Sequence, residues 1–132
     1  MSKFYQKISS MYWSIYYLIK IQFYYRLSKK NNNIFDIDLD GFKYKLTFLN
    51  QKIGPAIVQR IEGKREPETT AIYRSLVKPG MNVLELGACY GEFTVLLDHL
   101  VGPNGKLVSV EGTPNIFKIL EKNIEINKLK NT

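Results

Sequence analysis

Hydrophobic and polar positions change their period several times along the chain. From Phe4 to Tyr25 apolar residues recur at helical spacing. Phe4, Ile8, Met11, Ile15, Leu18 and Tyr25 fall on one side, Tyr5, Tyr12, Tyr16, Ile19 and Phe23 lie at its edge, and Lys3, Lys7, Ser10, Ser14 and Lys20 occupy the opposite arc. This predicts a long amphipathic helix, closed by the polar stretch Lys29-Lys30-Asn31-Asn32-Asn33. The period then falls to two. Phe35, Ile37 and Leu39 alternate with Asp36 and Asp38, Asp40-Gly41 turns the chain, and Phe42, Tyr44 and Leu46 alternate with Lys43 and Lys45. Asp-Gly supplies the positive φ angles of a type I′ turn, so a two-residue hairpin is predicted, with aspartates facing lysines on its polar side.

Helical and strand signals then take turns. Residues Pro55 to Ile61 predict a short helix and Gly63 to Arg65 a loop. Pro67 opens a helix with Ala71, Ile72, Ser75 and Leu76 at helical spacing, which Lys78-Pro79-Gly80 stops. The run Val83-Leu84-Glu85-Leu86, set between Pro79-Gly80 and Gly87, predicts a short parallel strand covered on both faces. Phe93, Leu96, Leu97, Leu100 and Val101 form the apolar face of the next helix, which Gly102-Pro103-Asn104-Gly105 ends, and Lys106 to Glu111 is a second strand. Strand, helix and strand of these lengths make neighbouring parallel strands. Thr113 caps and Pro114 starts a last helix, with Ile116, Phe117, Leu120 and Ile124 facing inward and Lys118, Glu121, Lys122 and Glu125 facing water. Three regions follow from this reading: a helical arm and linker over 1–33, a hairpin and connecting segment over 34–65, and an α/β unit over 66–132.

Charge changes the picture at the N-terminus. Six of the 19 basic residues and none of the 12 acidic ones precede Ile34, so the basic excess belongs to the arm. The favoured role of the arm is packing on the domain body or on a second subunit. Its alternative is peripheral contact with a membrane surface through residues 4–27, and nucleic acid is the least favoured partner. Lys20 and Gln22 interrupt the apolar run, which argues against a spanning helix, and no small-residue cleavage site follows it. The single cysteine, Cys89, cannot form an internal disulfide, so a cytoplasmic location is the default. Asp36, Asp38 and Asp40 lack the glycine and distal glutamate of a calcium loop, so no metal site is expected.

Candidate chemistry concentrates at the turn Glu85-Leu86-Gly87-Ala88-Cys89-Tyr90-Gly91. Ligands of open α/β sheets bind outside the carboxyl ends of the strands, where this turn lies, and the missing side chains of Gly87 and Gly91 let backbone approach a ligand. Glu111 reaches the same sheet edge at the end of the second strand, with two acceptor oxygens for the hydroxyls of a ribose. A dinucleotide site would use Gly-x-Gly-x-x-Gly to meet a pyrophosphate. Here an acid precedes the first glycine, and Cys89 stands where a middle glycine would be. A carboxylate beside the turn suits a ligand bearing an ammonium and a sulfonium better than a pyrophosphate, and S-adenosylmethionine is such a ligand. Cys89 has no visible base partner and reads as loop packing, and His99, on the crossover helix, reads as a surface residue.

The motifs Glu66-Pro67-Glu68, Val77-Lys78-Pro79-Gly80, Val83 to Ala88, Gly91, Val101-Gly102-Pro103, Gly105-Lys106, Glu111 and Lys122-Asn123 resemble the N-terminal half of an FkbM-type S-adenosylmethionine-dependent methyltransferase. The resemblance implies an incomplete Rossmann-like class I methyltransferase fold, its first βαβα portion, preceded by the hairpin and the amphipathic helix. It implies cofactor contacts from Glu85, Gly87, Ala88, Cys89, Tyr90, Gly91 and Glu111, and O-methylation of a hydroxyl on a small-molecule, sugar or glycan acceptor. It also implies an acceptor half beyond Thr132, so no catalytic base is assigned. Cys89 and Glu85 depart from the asparagine and aspartate frequent at these positions in the family. Two other readings stay open: a nicotinamide-dependent oxidoreductase of the same fold, and a non-catalytic membrane-associated module.

Overall fold

A computed structural model describes residues 3–132, with side chains described from Ser9 onward. Helix α1 (Lys3–Lys30) precedes strands β1 (Ile34–Leu39) and β2 (Phe42–Thr47). Helices α2 (Pro55–Ile61) and α3 (Pro67–Leu76) follow. Then come β3 (Asn82–Leu86), α4 (Glu92–Val101), β4 (Lys106–Val110) and α5 (Pro114–Asn127).

The hairpin forms as its alternation requires. Ile37 pairs with Tyr44 and Asp38 with Lys43, so Phe35, Ile37, Leu39, Tyr44 and Leu46 point inward and are buried. Asp40 and Gly41 take φ values of 51° and 87°, as a type I′ turn needs. Asp36 lies opposite Lys45, and their charged groups are 3.6 Å apart on the open face. The inner face packs on Ile57, Val58 and Ile61 of α2 and on Val95 and Leu96 of α4, giving one core that joins the hairpin to the α/β unit.

Helix α5 finishes the outer edge of β2. The Asn123 side chain accepts from Thr47 N at 2.7 Å and donates to Thr47 O at 2.9 Å, and Asn127 does the same with Lys45 at 2.8 and 2.7 Å. Two asparagines four residues apart thus replace a third strand, satisfying backbone groups that would otherwise stand open. Asn123 was expected in none of the inward positions. The buried stripe of α5 is Ile119, Leu120 and Asn123, while Phe117, expected inward, is exposed.

Strands β3 and β4 are parallel, with Glu85 opposite Ser109 and Leu86 opposite Val110. One face turns toward α4 and buries Glu85 and Leu107. The expectation of cover on both faces is corrected: Leu84, Leu86, Val108 and Val110 are exposed, because α4 lies on one side and no described element lies on the other. The face of α3 is corrected too. Ile72 and Leu76 face solvent, while Thr70 is buried and Tyr73 stacks edge-on against Phe93 at 5.3 Å.

Helix α1 packs on the body, but not by the predicted face. Tyr17, Ile21, Tyr24 and Leu27 meet the core. Glu62 anchors the same side, receiving Lys20 Nζ at 2.8 Å, Tyr16 Oη at 2.9 Å and Tyr24 Oη at 3.3 Å. Burial pushes the Glu62 carboxyl up, but the bonds from Lys20, Tyr16 and Lys64 outweigh it and hold it below its ordinary value. Met11, Ile15, Leu18, Ile19 and Phe23, on the side expected to be buried, are exposed. Tyrosines supply apolar surface on both arcs, and only the arc that also carries Lys20 can answer Glu62. Phe4, Tyr5 and Ile8 belong to the same prediction, and their side chains lie outside the described residues.

Candidate functional site: the turn between β3 and α4

The chain leaves β3 at Leu86, and its next backbone groups are held by the end of β4. Gly87 N and Ala88 N both donate to Val110 O, at 2.8 and 3.0 Å, and Cys89 N donates to Glu111 Oε2 at 3.0 Å. Gly91 N closes the turn on Ala88 O at 2.9 Å. Gly87 and Gly91 have φ values of 80° and 88°, in the left-handed region. A Cβ at Gly91 would sit 2.7 Å from Leu120 Cδ1, so this glycine also lets α5 approach. A Cβ at Gly87 would meet nothing within 4 Å, which leaves its backbone open to an incoming molecule.

Glu111 and the turn thus share one rim, as the parallel pairing of β3 and β4 requires. The second carboxylate oxygen of Glu111 accepts from Thr113 N at 2.7 Å, just before α5. The Thr113 amide foremost, with that of Cys89, holds the Glu111 carboxyl below the usual carboxylate range, so it is ionised at neutral pH. Each oxygen keeps acceptor capacity beyond these bonds, which hydroxyl groups can use.

Glu85 lies elsewhere. It is 7% exposed, on the α4 side of β3, and one of its oxygens accepts from Thr94 Oγ1 at 2.6 Å and Ser109 Oγ at 2.7 Å. Burial pushes its carboxyl up despite the two hydroxyls. The expectation that this charge faces the ligand is therefore corrected: strand alternation turns residue 85 beneath the helix, and the acid at the rim is Glu111. A sign follows for stability. The protonated form is favoured in the folded state, so this group's stabilising contribution is complete below the unfolded-state value near 4.5 and is lost as pH rises through the raised folded value. Glu85→Gln keeps an acceptor for the hydroxyls without the charge. Its stability relative to the unsubstituted chain is expected to improve as pH rises from about 4.5 to 7, and parallel urea titrations across that range check it.

The remaining turn residues point inward. Ala88 is buried, and Tyr90 packs edge-on against Phe48 at 5.4 Å while Asn123 Nδ2 donates to its carbonyl at 2.7 Å. Cys89 has φ of 52°, uncommon for a residue with a side chain, and burial pushes its thiol up, against a nucleophilic role. Arg60 reaches beneath the turn, with its Nε 2.6 Å from Glu92 Oε1, its Nη2 3.7 Å from Cys89 Sγ and its guanidinium over the Tyr90 ring at 5.1 Å. Both members of the Arg60 and Glu92 pair are about 8% exposed. Sequence reasoning missed Arg60 and Glu92, and noted Asn123 only within the Lys122-Asn123 motif, without a role. Only the asparagine spacing on α5 carried a signal. His99 is exposed and stacks on Phe42 at 4.6 Å.

A dinucleotide site needs amides to offer to a pyrophosphate, and the amides of residues 87, 88 and 89 all have acceptors within the protein. Those three amides have nothing left to offer a pyrophosphate, while an acid at the position of Glu111 would serve the ribose of either cofactor.

Comparison with known proteins agrees. The model of the protein-L-isoaspartate(D-aspartate) O-methyltransferase family matches residues 57–132, more than half of the chain. The chain belongs to that family. A curated protein-L-isoaspartate O-methyltransferase of Methanothrix thermoacetophila is 34% identical over 55 residues, which are 42% of this chain and 26% of that protein. The chain thus spans about a quarter of the relative's length. Among solved structures, an S-adenosylmethionine-dependent methyltransferase of Aquifex aeolicus is 26% identical over 50% of this chain and 35% of its own, with a TM-score of 0.44. A protein-L-isoaspartate O-methyltransferase is 23% identical over 74% of this chain and 26% of its own, with a TM-score of 0.47. Likenesses this distant add no weight to the assignment. Family membership makes S-adenosylmethionine the cofactor and the α/β unit part of a Rossmann-like methyltransferase fold. The family matched is the isoaspartate one, not the FkbM type that the motifs resemble. The coarser expectation of an S-adenosylmethionine-dependent methyltransferase holds.

Proposed function

We propose that this chain supplies the S-adenosylmethionine-binding part of an O-methyltransferase whose acceptor is a protein carboxylate of the isoaspartyl kind. One observation carries the reading: an ionised Glu111 stands across the rim from the Gly87 to Gly91 turn, fastened to it through Cys89 N at 3.0 Å. The open space at Gly87 and the spare acceptor capacity of Glu111 fit the sugar and amino acid parts of that cofactor. Glu111 would hold the ribose hydroxyls, and backbone at Gly87 would lie against the methionine part. When bound, the cofactor supplies an electrophilic methyl carbon on a sulfonium. The turn's contribution is to orient that carbon and keep its position fixed, which lowers the entropic part of the barrier. Arg60 and Asn123 support the turn from below, through Cys89, Tyr90 and the Tyr90 carbonyl.

The acceptor follows the family name. A second reading, an FkbM-type enzyme methylating a sugar or natural-product hydroxyl, is favoured by the spaced motifs from Glu66 to Asn123. The two make different demands. A carboxylate is already ionised and needs placement only, whereas a hydroxyl also needs its proton taken. Methyl transfer from labelled donor to an isoaspartyl peptide and to a panel of glycosides separates them.

Calorimetric titration of the chain with S-adenosylhomocysteine tests the cofactor site. Binding is expected, and Glu111→Gln is expected to weaken it roughly tenfold or more, since bonds to a charged acceptor are lost. Tighter binding of NADH, no binding at all, or equal affinity in a folded Glu111→Gln variant would overturn the proposal.

A further inference from the structure

We infer that the outward face of α1 is a docking surface for an anionic lipid membrane, which the helix meets lying in the interface plane. The face has two parts along one arc. Met11, Ile15, Leu18, Ile19 and Phe23 are each at least 50% exposed, and further along the same side Arg26, Lys29 and Lys30 are exposed as well. The opposite arc is already engaged by the core and by Glu62, so the exposed side chains are not engaged by the described body. From Met11 to Arg26 the helix runs about 22 Å, at 1.5 Å per residue.

Charge selects the occupant. Residues 1–33 contain six basic residues and no acid, so the helix has nothing of its own to answer a second copy of the same face, and pairing two would set lysines against lysines. An anionic lipid surface answers those charges and accepts the aliphatic side chains together. Tyr12 and Tyr25 are more than half exposed on or beside the same arc, where amphipathic rings settle at the headgroup level. No helix among the described residues is long and apolar enough to cross a membrane, so the geometry is one of lying on the surface. The helical periodicity is muted because the docked strip is itself rich in tyrosine, which hides this face from a simple amphipathicity reading.

The full chain is mixed with phosphatidylcholine vesicles with and without about a third phosphatidylglycerol and floated through sucrose. Expected is flotation with the anionic vesicles, weakened by high salt. Arg26→Gln, Lys29→Gln and Lys30→Gln should each reduce anionic binding by about fivefold. The combined Ile15→Ser, Leu18→Ser and Ile19→Ser variant should lose flotation while keeping its melting temperature within a few degrees, because these side chains are half exposed or more. The inference is overturned if the chain ignores anionic vesicles, if it binds neutral ones equally well, or if sedimentation shows a dimer that the serine variant dissolves.

Discussion

Arg60→Met is expected to destabilise the chain by about 3–5 kcal/mol, because it leaves Glu92 as an uncompensated carboxylate in a buried place. For a domain of this size that is a fall in Tm of roughly 10–20 °C. The guanidinium also donates to Ala56 O at 3.2 Å and lies over Tyr90, so its loss reaches the turn itself. Glu92→Leu in the same background removes the orphaned charge and should recover a large part of the loss, since apolar replacement of a whole buried pair is often neutral or better. Thermal and urea melts of both variants decide the matter. A loss below about 1 kcal/mol for Arg60→Met would mean that Glu92 finds water, contrary to its burial.

Asn123→Leu is the second large effect, about 3 kcal/mol. The substitution is close in volume, yet it strips partners from Thr47 N, Thr47 O and the Tyr90 carbonyl at once, and Asn123 is fully buried. Asn127→Leu makes the useful contrast. It breaks a matching pair of bonds to Lys45 where solvent can replace them, and should cost under about 1 kcal/mol. Beyond stability, Asn123→Leu should loosen the backbone of Tyr90, and amide exchange at Gly91 and Glu92 measures that directly.

Much of this architecture was legible because it rests on local rules. Asp40-Gly41 specifies its own turn, Pro67 and Pro114 mark helix starts, and the glycines at 87 and 91 bracket a bend that only positive φ permits. What escaped was orientation. Periodicity identifies an apolar stripe when the other arc is polar, and α1 carries tyrosines all round, so its docked side was set by Glu62 instead. Glu85 and Glu111 read alike as acids near strand ends, yet one lies under α4 and the other on the rim, a difference of alternation and of which side a helix covers. The Arg60 to Glu92 and Asn123 to Thr47 contacts link positions 32 and 76 residues apart, beyond the reach of any local pattern. The acceptor escaped for another reason: residues that hold a methyl donor carry little information about what receives the methyl group.

The uncovered side of the parallel strands has a thermodynamic signature. The chain presents 8822 Å² to solvent, where a compact monomer of its 15.3 kDa mass would present about 7,100 Å². Leu84, Leu86, Val108 and Val110, with the outer arc of α1, are wetted before unfolding begins and so contribute little to the change in hydration. The heat-capacity increment should accordingly fall short of the usual ~12–15 cal/mol/K per residue, and the urea dependence should be shallow. Anything that dries those surfaces would sharpen the melt even if it left every internal bond unaltered.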